Sequence, residues 1–534
     1  MGPTNWHLST NDVAGFATGQ WQPAKRLVLS AALRWQRQFL PPPIALVNNP
    51  DLPLTQKLAD TGNAWAPRVS LAWGTGESRW PTLRAGYGMY FGRTQNSVLE
   101  SALTQTGSLQ GDLNFFMRPT DNLVAGGAPP FPYVLAGEPS TVVKPGAVEF
   151  APNFRNAEIH QSEATVEENL PGRVQVAASA IVSLGRRLPV TIDTNFDPAT
   201  NPGTITYGVV DATGEGPMKT RQITVPFFAS WPDIGASSGA AGRLNANYQQ
   251  IREWMSRANS TYEAAALRVS RYGRRGLTLH ARYTYGHAMD WNPNESTQVS
   301  GSSVLDPTDF RNEYGTSNLD IRNSVSGMVI LEPHWRLSRF EGRLANDWML
   351  SAIGQFRSGL PFTMRTAGSI PEEFETSGAM IVGLGPGMNG SGGDNRVYGI
   401  GRNTYRYPST WKADVRLGKK FILGHVRELD LMAESFNLFN HQNVAQFETI
   451  GYYISPGTAP GSLPTLNFMS GLKKGQTEFG MPLNINATDI FRPRSSTSDC
   501  ECVFKIQRSE AHETSAEAVI PSRRKQVAPW MSVL

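Results

Sequence analysis

A chain of 534 residues with Gly 51, Pro 37 and 10% aromatic side chains has the make-up of strands joined by turns and loops. Its net charge of +4 is small for that length and gives no reason to invoke nucleic acid. No run of about 18 apolar residues occurs, which excludes a membrane-spanning helix but not a β-barrel, whose apolar residues alternate with polar ones. The two cysteines, Cys500 and Cys502, sit two apart near the C-terminus, where they form neither a structural bridge nor a four-ligand zinc site. Thiol scarcity fits passage through an oxidising periplasm, although it is also common in the cytosol. Met1 to Thr10 lack a basic segment followed by an apolar one, so no secretory signal is read there.

In chain order, the first strand is expected from Asp12 to Trp21, ended by Gln22-Pro23. The second is clearer: Leu27, Leu29, Ala31, Leu33 and Trp35 alternate with Val28, Ser30, Ala32, Arg34 and Gln36. After Pro41-Pro42-Pro43 and a long connection come Val69, Leu71 and Trp73, then Leu83, Ala85, Tyr87, Met89 and Phe91, opposed by Arg84. Residues 93 to 152 read as irregular. A strand around Ile159 to Asn169 is interrupted by Glu163, Glu167 and Glu168; Val174 to Leu184 resumes the alternation, and a long excursion fills roughly 188 to 252.

The plan is most legible in the hairpin that follows. Ala265, Leu267 and Val269 alternate with polar neighbours, Gly273-Arg274-Arg275-Gly276 reverses the chain, and Leu277, Leu279, Ala281, Tyr283 and Tyr285 alternate with Thr278, His280, Arg282 and Thr284. A polar loop runs to Asp320, and strands follow at Ile321 to Glu332 and Trp348 to Arg357. Beyond a Gly-rich loop over 366 to 408, Trp411 to Gly418 and Leu429 to Glu434 form the last pair, carrying Asp414, Arg416 and Glu434 on the polar side.

Connections after odd-numbered strands are short or moderate and those after even-numbered ones long. An antiparallel up-and-down transmembrane barrel does this, with turns at one rim and large loops at the other. The fold class expected is all-β, a partial barrel of roughly 12–14 strands. Alternation alone also describes a half-buried soluble strand. Strand length, loop parity, aromatics near strand ends (Trp21, Trp35, Phe91, Tyr285, Phe356, Phe436, Phe439) and charges confined to the opposite face favour the membrane.

The string Ala258 to Tyr262, followed by GLTLHARYTYGHAMD (276–290), DPTDFRNEYGTSNLDIRN (306–323), RSGLPFT (357–363) and ELDLMAESFNLFNHQN (428–443), resembles the barrel of TonB-dependent outer-membrane receptors of the Oar-like type. PRVSLAW (67–73) and LRAGYGMYFGR (83–93) look like earlier strands of it, and the resemblance covers residues 12 to 494. It implies an outer-membrane protein of about 22 strands, filled by a plug and worked by the TonB complex. Its partners would be outer-membrane lipid, that plug and complex, and the barrel-assembly machinery. The chain shows no plug and no TonB box. Residues 1–494 are therefore expected to be a barrel portion, a truncated fragment, and 495–534 an atypical, disordered tail.

Gly235-Ala236-Ser237-Ser238-Gly239 spells a nucleophile elbow and Gly385 to Gly390 a dinucleotide fingerprint, but neither has the strand before and helix after that its chemistry requires. The His residues are scattered; no catalytic residue, cofactor or metal is expected, and the chain is not read as an enzyme. The side chains to watch are the lumen-facing charges Arg34, Arg84, Arg282, Asp414, Arg416 and Glu434, as contacts for a plug or a polar solute or as a solvated wall. Three functions remain open: an uptake receptor barrel, a passive porin-like or adhesive barrel, and a soluble β carbohydrate-active enzyme. The last would need two carboxylates about 5 to 10 Å apart, with Asp414 and Glu434 the only candidates on the strands read here.

Overall fold

The computed structural model describes residues 6–58, 62–74, 81–113, 145–195, 204–226, 229–230, 244–273 (save 246 and 249), 276–291, 304–368, 382–383, 387–389, 393–422, 427–455, 462–470, 477–485 and 495–504. Period-two alternation gives long strands, and each pairs antiparallel with the next in sequence: β1 (Asn11–Ala24), β2 (Leu27–Phe39), β3 (Ala64–Trp73), β4 (Thr82–Phe91), β5 (Glu158–Leu170), β6 (Val174–Asp193), β7 (Ile251–Arg271), β8 (Leu277–Asp290), β9 (Asn323–Leu331), β10 (Trp348–Arg357), β11 (Thr410–Ile422) and β12 (Arg427–Phe436). Every strand expected from the sequence is present in the expected order. A last one, β13 (Ser495–Phe504), pairs with β12, and β1 and β13 are the two ends of the sheet order.

Register makes the two faces explicit. Leu27, Trp73, Leu83, Val166, Ala178, Leu267, Tyr283, Val325, Phe356 and Trp411 stand opposite one another in turn, one per strand from β2 to β11. On the other face a row runs Thr82, Glu167, Ala177, Arg268, Arg282, Ser326, Gln355 and Lys412. The apolar row is uncovered: Trp73 is 51% exposed, Leu267 46% and Val325 42%. So continuous an apolar surface calls for a nonpolar solvent. Two concavities on the sheet are lined mainly by its polar face, which is the inner side of its curl.

Several expectations are corrected. β1 runs on to Ala24, because a register irregularity between Trp21 and Ala24 accommodates Pro23. Ser495–Phe504, expected to open the disordered tail, lies in register along Arg427–Phe436, because a ladder uses backbone groups and needs no alternation. Charges are not confined to the polar face. Glu263 lies opposite Val182 and His287 on the apolar side. Lys419 lies there opposite Trp348 and Leu431, but bends its ammonium to the Asn346 carbonyl and lies 5.6 Å from the Trp348 ring centroid.

The long connections are more ordered than their composition suggests. Residues 93 to 152, read as irregular, contain the helix α1 (Asn96–Thr104), whose Val98, Leu99 and Ala102 pack with Val148, Phe150 and Trp254. The excursion 188 to 252 and the Gly-rich loop after Thr366 join a third connection in one five-stranded mixed sheet, in the order Arg365–Ala367, Ile450–Ser455, Thr465–Phe468, Thr204–Val210 and Gln222–Pro226. Its core holds Ile205, Tyr207, Val225, Met364, Met388, Val397, Tyr452, Ile454 and Leu466. The tightest apolar packing therefore lies in the loops at one rim, because the strands give their apolar side to the surroundings.

Candidate functional site

The sequence-derived charges fall into three places. Arg84 on β4 and Arg282 on β8 line one concavity of about 570 Å³ on the polar face, with Arg268, Glu163, Glu167, Thr165, Ser179, Ala177 and Ala266. Arg34 lies outside it, opposite Phe16 and Ala66, and its Nε donates to Gln36 Oε1 at 3.0 Å. Asp414, Arg416 and Glu434 sit toward the other end of the sheet. Arg416 stands opposite Glu434 and forms an ion pair with it; Asp414 is buried and accepts from Lys412 Nζ at 3.0 Å and from the Asn437 amide at 2.9 Å. Each of these carboxylates is paired with a cation on the same wall.

Within the concavity the charges are unequally satisfied. Arg268 reaches Glu167 at 3.3 Å, and Glu167 also accepts from Gln175 Nε2 at 2.9 Å. Glu163 accepts from the Thr165 hydroxyl at 3.1 Å. Neither Arg84 nor Arg282 has a hydrogen bond or ion pair among the described residues. The sequence reading missed Glu163, Glu167 and Arg268. The signal was there: Glu163, Thr165 and Glu167 are alternate residues, so what looked like an interrupted strand is its polar face.

At the loop rim the segment 306–323 builds a buried polar lock. Asp306 Oδ1 accepts from the Thr308 amide at 2.9 Å, and Glu313 accepts from the Leu305 amide at 2.7 Å. Asp320 takes the Ala288 amide at 2.6 Å, His287 Nδ1 at 3.1 Å, Arg322 at 2.9 Å and the Arg406 guanidinium. Burial by itself would raise the Asp320 carboxyl, but these hydrogen bonds outweigh it and hold it below the ordinary carboxylate range. Arg402 ties Asp290 at the end of β8 to the carbonyl of Glu313. The segment 437–443 closes over the start of β11: Asn443 bonds both the amide and the carbonyl of Trp411, at 2.8 and 3.1 Å, and Leu438 donates to Ala413 at 2.8 Å.

The two enzyme-like strings supply no site. Residues 235–239 lie outside the described residues, as do 385, 386 and 390; Met388 and Asn389 are buried, their carbonyl and amide used by the Tyr207 hydroxyl at 2.6 Å and the Leu305 carbonyl at 2.8 Å. Among the described residues no three His, Cys, Asp or Glu side chains are grouped to hold a metal.

The family model described as "Outer membrane beta barrel domain" matches residues 1–459. The chain belongs to that family. It is a mostly β, up-and-down outer-membrane barrel domain, which places its uncovered apolar rows against lipid. No curated protein matches it. Among solved structures it is similar to the FrpB iron transporter from Neisseria meningitidis (10% identity, TM-score 0.42, 93% of this chain and 46% of that one). It is also similar to the ferric-catecholate import receptor Fiu from E. coli K12 (9%, 0.39, 93% and 45%) and the ferric enterobactin receptor PfeA from Pseudomonas aeruginosa (11%, 0.42, 93% and 45%). The chain thus spans about half the length of these structures.

Proposed function

We propose that this outer-membrane barrel domain serves uptake of a solute as the wall and loop cap of a TonB-dependent receptor of the Oar-like type. The observation that carries the reading is the separation of roles along each strand. Apolar side chains form a lipid face, polar ones a concave inner wall on which Arg84 and Arg282 have no hydrogen bond or ion pair among the described residues, and the long loops at one rim fold into a packed cap. Two of the motifs resembling the Oar-like barrel, 306–323 and 428–443, supply Glu313 and Asn443 to joints of that cap and of the wall beneath it. A plug inside the wall, the TonB complex and the barrel-assembly machinery are the partners this function requires. Arg34, Arg84, Arg282, Asp414, Arg416 and Glu434 are proposed as lumen-facing, either toward such a plug or toward the solute.

The test is uptake by cells with and without the chain, before and after a protonophore collapses the inner-membrane gradient. Loss of uptake with the gradient supports a receptor, whereas uptake that persists identifies a passive barrel and overturns this reading.

A further inference from the structure

We propose that the concavity between Arg84 and Arg282 is a binding site for a small polyanion bearing carboxylate or phosphate groups. The inference rests on the reading of the polar face as the inner wall and adds a ligand class to it.

The register fixes the shape of this site. Arg84, Thr165, Ser179, Ala266 and Thr284 form one cross-strand row, and Glu167, Ala177, Arg268 and Arg282 the adjacent one. Arg84 and Arg282 are four strands apart, about 19 Å along the sheet at the usual strand spacing and less across its concave side. Between them lie the short side chains Thr165, Ser179, Ala177 and Ala266, together with Glu167 and Arg268, which pair with each other at 3.3 Å. Two long cationic side chains thus flank a concavity of about 570 Å³ whose floor is short apart from that internal pair, which leaves room for a solute between the guanidiniums.

The charges point the same way. Three arginines face two glutamates, and one arginine and one glutamate neutralise each other in the Arg268–Glu167 pair at 3.3 Å. What remains is two guanidiniums without a hydrogen bond or ion pair among the described residues and the Glu163 carboxylate, which bonds Thr165. Guanidiniums bind carboxylate and phosphate oxygens through forked, charge-assisted hydrogen bonds, and two in one concavity favour a ligand with at least two negative groups. Glu163 opposes such a ligand and sets the direction of a second test.

Calorimetric titration of the full chain folded in detergent micelles uses pyrophosphate, a tricarboxylate and chloride as probes. Pyrophosphate or the tricarboxylate should bind and chloride should not, and which of the two binds more tightly assigns phosphate or carboxylate chemistry. Arg84→Gln with Arg282→Gln should weaken binding at least tenfold, Arg93→Gln, outside the concavity and paired with Asp12 at 3.2 Å, should leave it unchanged, and Glu163→Gln should tighten it. In membrane fragments, modification of Arg84 and Arg282 by an arginine-specific dicarbonyl, mapped by mass spectrometry, should be slowed by the same anions. Equal binding by all variants, no binding by a membrane-inserted wild-type chain, or unprotected arginines would overturn the site. Failure of the chain to insert into membranes would instead count against the barrel reading beneath it.

Discussion

Arg396 donates to both carboxylate oxygens of Glu313 at 2.7 Å, and neither side chain is more than 2% exposed. The two residues belong to different long connections, so this pair joins the segment after β8 to the segment after β10. Breaking a buried pair from one side leaves a charge without a partner and costs roughly 3–5 kcal/mol. Arg396→Ala should therefore open the loop cap to protease while the strands keep their heat-modifiable gel mobility. Glu313→Leu with Arg396→Met should restore most of the resistance; a resistant single variant would show that the pair does not hold the cap.

Glu149 lies on a short strand, Ala147–Phe150, in parallel register with Glu253 of β7. Burial, and then the neighbouring Glu253 carboxylate, push Glu149 up from 4.5 to about 7. The folded chain therefore binds this proton more tightly than the unfolded one, and its stability falls as pH rises from about 4.5 to about 7, then levels off. Glu149→Gln should raise the melting temperature at pH 8 and leave it nearly unchanged at pH 4, by thermal scans at both. An equal shift at the two values would contradict the burial argument.

The β7–β8 turn depends on Gly276. Its φ of +71° is left-handed, and an added Cβ would collide with the Glu332 carbonyl oxygen. Gly276→Val should destabilise the hairpin by about 1–3 kcal/mol from backbone strain alone, with the clash in addition. Urea midpoints in micelles measure this, and Gly172→Ala, where φ is +85° but nothing lies near the new Cβ, should cost less.

Side-chain direction on the wall should decide the cost of a charge. Leu267→Arg places a cation on the lipid side and should cost about 2–4 kcal/mol near the bilayer midplane, whereas Ser326→Arg, beside Arg282 on the inner side, should be tolerated. Unfolding titrations in lipid vesicles compare the two; equal costs would place both residues in one environment.

Legibility followed the range of the interactions. The strand from Leu277 to Asp290 was visible because a period of two is local, and Arg282 on its polar side came with it, as Arg84 did with the strand Thr82–Phe91. Glu163 and Glu167 stood in the same pattern but were read as breaks, because acidic residues suggest loops until the partner strand is known. The loop core was not visible, since Tyr207, Met364 and Tyr452 come from three connections and no local period links them. Ser495–Phe504 was missed because only the backbone of Arg427–Phe436 specifies it as a strand.

The central claim, that the apolar rows meet lipid and the polar rows an inner aqueous space, is tested by one adjacent pair. With Cys500→Ser and Cys502→Ser as background, Val325→Cys and Ser326→Cys each carry the same fluorophore in vesicles containing brominated lipid. Quenching should be strong at 325 and weak at 326, with aqueous iodide giving the reverse. Equal quenching at both positions, or stronger lipid quenching at 326, would contradict the assignment of the two faces.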